Sequence, residues 1–141
     1  MFTISKFDYS LKKQAVNPKK AYSIDNGLAD VNSVSFSLNK GRMLENCVFL
    51  GLRRAGKEIF YFRENKECDF LVKEKNAIVK AIQVCYELNE DNKKREIDGL
   101  IEAMEKYDLP EGLILIYNQQ DEQEISGKTI KIKPVGYGSK R

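Results

Sequence analysis

Glu45, Asp69 and Gln83 are the residues of this chain best suited to chemistry. Asp69 interrupts an apolar run, Glu67-Cys68-Asp69-Phe70-Leu71-Val72, and Gln83 interrupts another, Ala81-Ile82-Gln83-Val84-Cys85. Glu45 lies upstream in Gly41-Arg42-Met43-Leu44-Glu45-Asn46. A carboxylate inside a strand is costly to bury unless it is paired or holds a metal. Two carboxylates and an amide oxygen are hard donors of the kind magnesium takes, with waters filling the remaining positions. Such an ion polarises a phosphodiester, organises the attacking water and offsets charge in the transition state. A lysine beside it orients the water, and help of that kind is worth roughly 10²–10⁴ in rate. The position two residues after Gln83, where that lysine would stand, is Cys85. Lys80, three residues before Gln83, points to the opposite face of a regular strand. Arg95, and after it Lys94, are the cations that remain to substitute.

These residues carry plainer readings as well. Glu45 is placed to pair with Arg42 or Arg53. A buried amide such as Gln83 is commonly bonded to backbone. Arg95-Glu96 at a helix start is usually a solvated face. Gly127-Lys128-Thr129 is no phosphate-binding loop, since Glu122 stands where its first glycine belongs.

Composition limits the chemistry further. The chain has 141 residues and no histidine, which excludes Ser-His and Cys-His nucleophilic schemes and histidine-ligated metals. Cys47, Cys68 and Cys85 form no CxxC pair, so they read as small buried hydrophobes in a reducing compartment. Net charge is +3, too mild to require a nucleic-acid partner. The charge is uneven, however. Lys6, Lys12, Lys13, Lys19 and Lys20 interleave with Phe7, Tyr9 and Tyr22, a pattern that fits an arm contacting phosphates or a plain solvated segment. No apolar run reaches the roughly 20 residues of a membrane span, and the first residues lack a signal-peptide core. The expected location is cytoplasmic.

The elements that must position the three residues follow from periodicity. Residues 2–7 and 20–25 read as short strands, and 29–39 as a loop. Leu44, Val48, Gly51, Leu52 and Ala55 mark a helix over 40–55, stopped by Gly56. Strands follow at 59–63, 67–73 and 78–86. A three-residue loop, Lys75-Asn76-Ala77, would set Asp69 opposite Gln83 on one face, with Phe70, Val72, Ile82 and Val84 on the other. A second helix spans 91–107, capped by Asn89 or Asp91. Residues 113–117 read as a strand covered on both faces, 118–127 as a polar loop and 129–134 as an edge strand. The order helix, three strands, helix, strand predicts an α/β fold, a mixed sheet with flanking helices.

From residue 19 to about residue 135 the chain resembles the restriction-endonuclease-like domains of unknown function that follow AAA-type ATPase modules in archaeal and bacterial proteins. The resemblance rests on Asn17-Pro18-Lys19-Lys20-Ala21-Tyr22-Ser23-Ile24-Asp25-Asn26-Gly27-Leu28, Gly41-Arg42-Met43-Leu44-Glu45-Asn46, Glu67-Cys68-Asp69-Phe70, Gln83-Val84 and Arg95-Glu96. It implies a PD-(D/E)XK core at 29–141 behind a basic extension at 1–28. Glu45 would match the helix glutamate and Asp69 the motif aspartate. Gln83 falls where the second acidic residue belongs and Cys85 where the lysine belongs. The implied cofactor is magnesium, weakly bound by Glu45, Asp69 and Gln83, with Arg95 as the candidate replacement cation. The implied partners are DNA, contacted by Lys12, Lys13, Lys19, Lys20 and Lys94, and an ATPase module or another protein. The two substitutions predict weak or lost cleavage. The alternatives are a protein-interaction module without catalysis and an active magnesium nuclease.

Overall fold

The computed structural model describes residues 2–8, 11–22, 36–117 and 119–135. These residues form β1 (Phe2–Lys6), α1 (Leu11–Val16), β2 (Lys19–Tyr22), α2 (Phe36–Arg54), β3 (Glu58–Arg63), β4 (Glu67–Glu74), β5 (Ala77–Val84), α3 (Lys93–Lys106), β6 (Glu111–Ile116), β7 (Asp121–Ile125) and β8 (Lys128–Pro134). All eight strands join one sheet in the order β2-β1-β3-β4-β5-β6-β8-β7. The sheet is mixed: β1–β3, β5–β6 and β6–β8 are parallel and the other neighbours antiparallel. This is the expected α/β class, and α2, β3, β4, β5, α3 and β6 follow one another as the periodicity predicts.

Sequence chemistry explains the ends of the elements. Gly56 closes α2 with φ +73°. The Lys57 N–H donates to Leu52 O and the Gly56 N–H to Arg53 O, the paired bonds of a left-handed helix terminus. Asn89 works ahead of α3, its Oδ1 accepting from the N–H groups of Asp91 and Asn92. The cap residue itself is Asn92, three residues after Asn89 and one after Asp91.

Apolar side chains pack on both faces of the sheet. On one face Cys68, Leu71, Ala81, Ile114 and Ile116 meet Ile97, Leu100, Ala103 and Met104 of α3. On the other, Phe70, Val72, Ile82, Val84 and Leu115 meet Val48 and Phe49 of α2. Phe49 lies outside the stripe predicted for α2, yet it is 1% exposed and stacks on Tyr22 at 4.4 Å. β6 is covered from both sides, as its unbroken apolar run predicts.

Several expectations are corrected. β8 is not an edge strand, because it pairs with both β6 and β7. The edge is β7, within the predicted polar loop, and it turns into β8 through Ser126 and Gly127, both at positive φ. Its Asp-Glu-Gln-Glu-Ile sequence has little strand propensity but suits an edge, where charge discourages further pairing. α1 falls in the N-terminal stretch where no helix was expected. α2 begins at Phe36, inside the predicted loop. The rest of that loop and residues 23–28 lie outside the described residues. Cys47 is exposed, not buried.

Candidate functional site

The β4–β5 hairpin sets the register of the site. Its turn has two residues, Lys75 and Asn76, both at positive φ, not the three expected. A two-residue turn by itself would carry Asp69 out of line with Gln83. The register instead shifts between Val72↔Lys80 and Lys73↔Ile78, leaving Val79 as an extra, exposed residue. That bulge restores the alignment, because burial of Phe70, Val72, Ile82 and Val84 outweighs turn geometry.

A second bulge re-aims Asp69. Phe60 pairs with Leu71 and Phe62 with Cys68, so Asp69 and Phe70 together oppose Tyr61. Alternation along β4 breaks here. Cys68 and Leu71 pack under α3 while Phe70 packs under α2, and the Asp69 carboxylate reaches the α2 side. The regular ladder between β4 and β5 ends at Phe70↔Ile82. Beyond it two side chains bridge the strands: the Val84 N–H donates to Asp69 Oδ2 and the Asp69 N–H donates to Gln83 Oε1, both at 2.9 Å.

Glu45 and Asp69 are brought together, and a lysine from β2 joins them. Lys20 Nζ lies 3.3 Å from Glu45 Oε2 and 3.6 Å from Asp69 Oδ1. The Tyr22 hydroxyl donates to the same Glu45 oxygen. The Lys20 ammonium also lies 5.5 Å from the centre of the Tyr61 ring. Burial works to lower its pKa, but Asp69 and Glu45 overcome that and hold it above the ordinary lysine value. Burial and then the Glu45 charge push the Asp69 carboxyl up to about 7, against the pull of Lys20 and the Val84 N–H.

Gln83 does not converge with them, which corrects the expected trio. Its amide group donates to Glu67 O at 2.8 Å and Glu96 O at 3.0 Å and accepts from Asp69. It faces the start of α3, is 3% exposed and serves as a bracket between backbones. Arg95 and Lys94 also stand apart from the carboxylate pair: Arg95 pairs with Glu96 at 3.4 Å and Lys94 with Asp98 at 2.9 Å, both cations well exposed. Burial, then the charges of Glu96 and Asp69, push the Cys85 thiol up to about 12, so it stays neutral at pH 7. Lys12, Lys13 and Lys19 are exposed, whereas Lys20 is turned inward. Lys20, expected in a phosphate-contacting arm, lies instead between the two carboxylates. The period-two spacing of Lys20 and Tyr22 was the available signal, since a tyrosine facing the core carries the residue two before it inward.

The residues present do not fit a magnesium centre. The Gln83 oxygen is taken by backbone, and the Glu45 and Asp69 oxygens that meet are bridged by an ammonium. Among the described residues no three His, Cys, Asp or Glu side chains gather in a group able to hold a metal ion. The pair lies in an open cleft of about 690 Å³ whose charged lining is Glu45, Glu67, Asp69, Glu87 and Glu96 with Lys40, Arg42 and Arg95. At one wall Tyr86 stacks on Tyr117 at 5.0 Å. Lys40 Nζ lies 4.8 Å from the Tyr86 ring centre, and Tyr117 is 54% exposed. No helix among the described residues is long and apolar enough to cross a membrane.

The chain is 43% identical over 133 residues to an uncharacterized protein of Methanocaldococcus jannaschii, covering 89% of this chain and 29% of that protein. It therefore spans less than a third of that relative's length. The model of the family described as "Domain of unknown function (DUF4143)" matches residues 40–137, a stretch that contains most of α2, the β3–β5 strands, the residues lining the cleft and β8. The chain belongs to the DUF4143 family.

Proposed function

We propose that this chain is a nuclease-like domain of the PD-(D/E)XK kind that binds nucleic acid without cutting it, as an accessory to an ATPase module in a longer protein. The observation that carries the binding is exposed Tyr117, stacked on Tyr86, a residue of the cleft wall whose hydroxyl accepts from the Lys40 ammonium. An exposed ring next to a cation suits an unpaired base and its phosphate. Arg42 and Arg95 line the same cleft and are exposed to solvent. Loss of cutting is supported by Cys85 in place of a lysine and by an amide at Gln83 already committed to backbone. The relative's greater length leaves room for an ATPase module.

The excess of carboxylates in the cleft favours a second reading, a module that grips a protein partner. Fluorescence anisotropy with labelled single-stranded DNA at low salt separates the two. Binding should weaken steeply with salt as counterions are released, and Tyr117→Ala should weaken it by about 1–3 kcal/mol. Absence of DNA and RNA binding at low salt would transfer the assignment to the protein partner. Magnesium-dependent cleavage by the wild type that is lost in Asp69→Ala would establish an active nuclease instead.

A further inference from the structure

We infer that Lys20 is the resident cation of this site: its ammonium takes the place between Glu45 and Asp69 that a divalent ion would take, over a latent metal site that only removal of the lysine opens. The inference rests on reading Glu45 and Asp69 as a carboxylate pair of the metal-binding type. The disagreement between the residues and a magnesium centre is what motivates it.

The lysine comes from outside the elements that carry the carboxylates. α2 supplies Glu45 and β4 supplies Asp69, while Lys20 arrives on β2, which joins the core strands of the sheet through β1. Its ammonium contacts one oxygen of each carboxylate, at 3.3 and 3.6 Å. The side chains of Lys20, Glu45 and Asp69 are 25%, 23% and 16% exposed, so the three charges sit mostly out of water. Tyr22 on the same strand donates to Glu45, and Val84 fixes the far oxygen of Asp69. An ammonium offers three donors and suits two carboxylates at once. With both carboxylates ionised it leaves a net charge of −1 on the triad where a divalent ion would leave none. Without it the two carboxylates face each other at low exposure, and the pair sheds that repulsion either by taking up a proton or by taking up a hard divalent cation.

The test uses Mn²⁺ alone as the probe, followed by electron paramagnetic resonance and by water-proton relaxation. Wild type should take up no Mn²⁺ that depends on Asp69. Lys20→Met should take up one Mn²⁺ per chain, about tenfold or more tighter than any binding by wild type. Adding Asp69→Asn to that variant should abolish the uptake, and Lys20→Arg, which keeps the charge, should stay silent. If Lys20→Met folds only with Mn²⁺ present, the inference stands. If it is folded yet takes up none, or stays unfolded with Mn²⁺, the latent site is refuted. Mn²⁺ uptake by wild type that Asp69→Asn removes would equally overturn it, because the lysine would not then be excluding the metal. None of these readouts depends on DNA, so failure here is distinguishable from failure of the binding or non-cutting assignments.

Discussion

The Gln83 amide donates to the carbonyls of Glu67 and Glu96 and accepts from the Asp69 N–H, so one side chain ties β4, β5 and α3 together. The Gln83 side chain itself is 3% exposed. Gln83→Leu would take this partner from the Asp69 N–H and the Glu67 carbonyl and leave the Glu96 carbonyl only its helical bond, and a loss of about 1–3 kcal/mol is expected from such a change. Urea unfolding monitored by circular dichroism reads it directly, and an unchanged midpoint would contradict the bracket role. Gln83→Glu should be no milder at pH 7, because a carboxylate would face the two carbonyls that the NH₂ group now satisfies. Restoring an acid at this position would therefore not rebuild a metal centre. The sequence identified a polar residue in an apolar strand. Which way the amide turned depended on α3, more than ten residues away.

Among the elements, α3 approaches the sheet closely enough for this bracket only because Gly99 has no side chain. A methyl there would run into the Glu67 carbonyl oxygen and lie 2.8 Å from Gln83 Nε2. Gly99→Ala should destabilise by about 1–3 kcal/mol or more through overpacking against backbone. Gly51, in the last turn of α2, meets nothing within 4 Å, so Gly51→Ala should instead stabilise, by up to about 0.5–1 kcal/mol, through helix propensity alone. Thermal unfolding of the two variants should move in opposite directions, and equal effects would contradict the close approach. The two bulges belong to the same scale. Each inserts one residue that strand alternation does not count, one at Val79 to recover register and one at Asp69-Phe70 to turn a carboxylate across the sheet.

For the molecule as a whole, the site should tilt stability toward acid. Burial and then Glu45 raise the Asp69 pKa to about 7, and burial raises Glu96 as well, with Arg95 opposing it. An unfolded aspartate titrates near 3.9, so between about pH 4 and 7 the folded chain holds a proton that the unfolded chain has lost. Stability from this group is complete at the low end of that window and declines as pH rises through it. Lys20, raised above the ordinary lysine value, stays charged throughout and loses its contribution only at alkaline pH. The urea midpoint of the wild type should fall between pH 4 and 7 by more than that of Asp69→Asn. Parallel curves for the two proteins would show that Asp69 titrates normally.

Local chemistry determined much of this protein from sequence alone. Alternation and helical spacing marked β3 to β6, α2 and α3 in their order, because each buries a stripe or a face whose period is written in the residues. Gly56 marked a helix end for the same local reason. Glu45 and Asp69 stood out because a carboxylate among apolar neighbours needs a partner. The partner's identity was decided only by tertiary structure. Lys20 reaches the pair through β2, which reaches β3 only by way of β1, and no local pattern encodes that path. Gln83 left the constellation because a bulge aimed Asp69 toward α2 while strand alternation kept the amide under α3. β7 became a strand because β8 offered it an edge, not because its own residues prefer one.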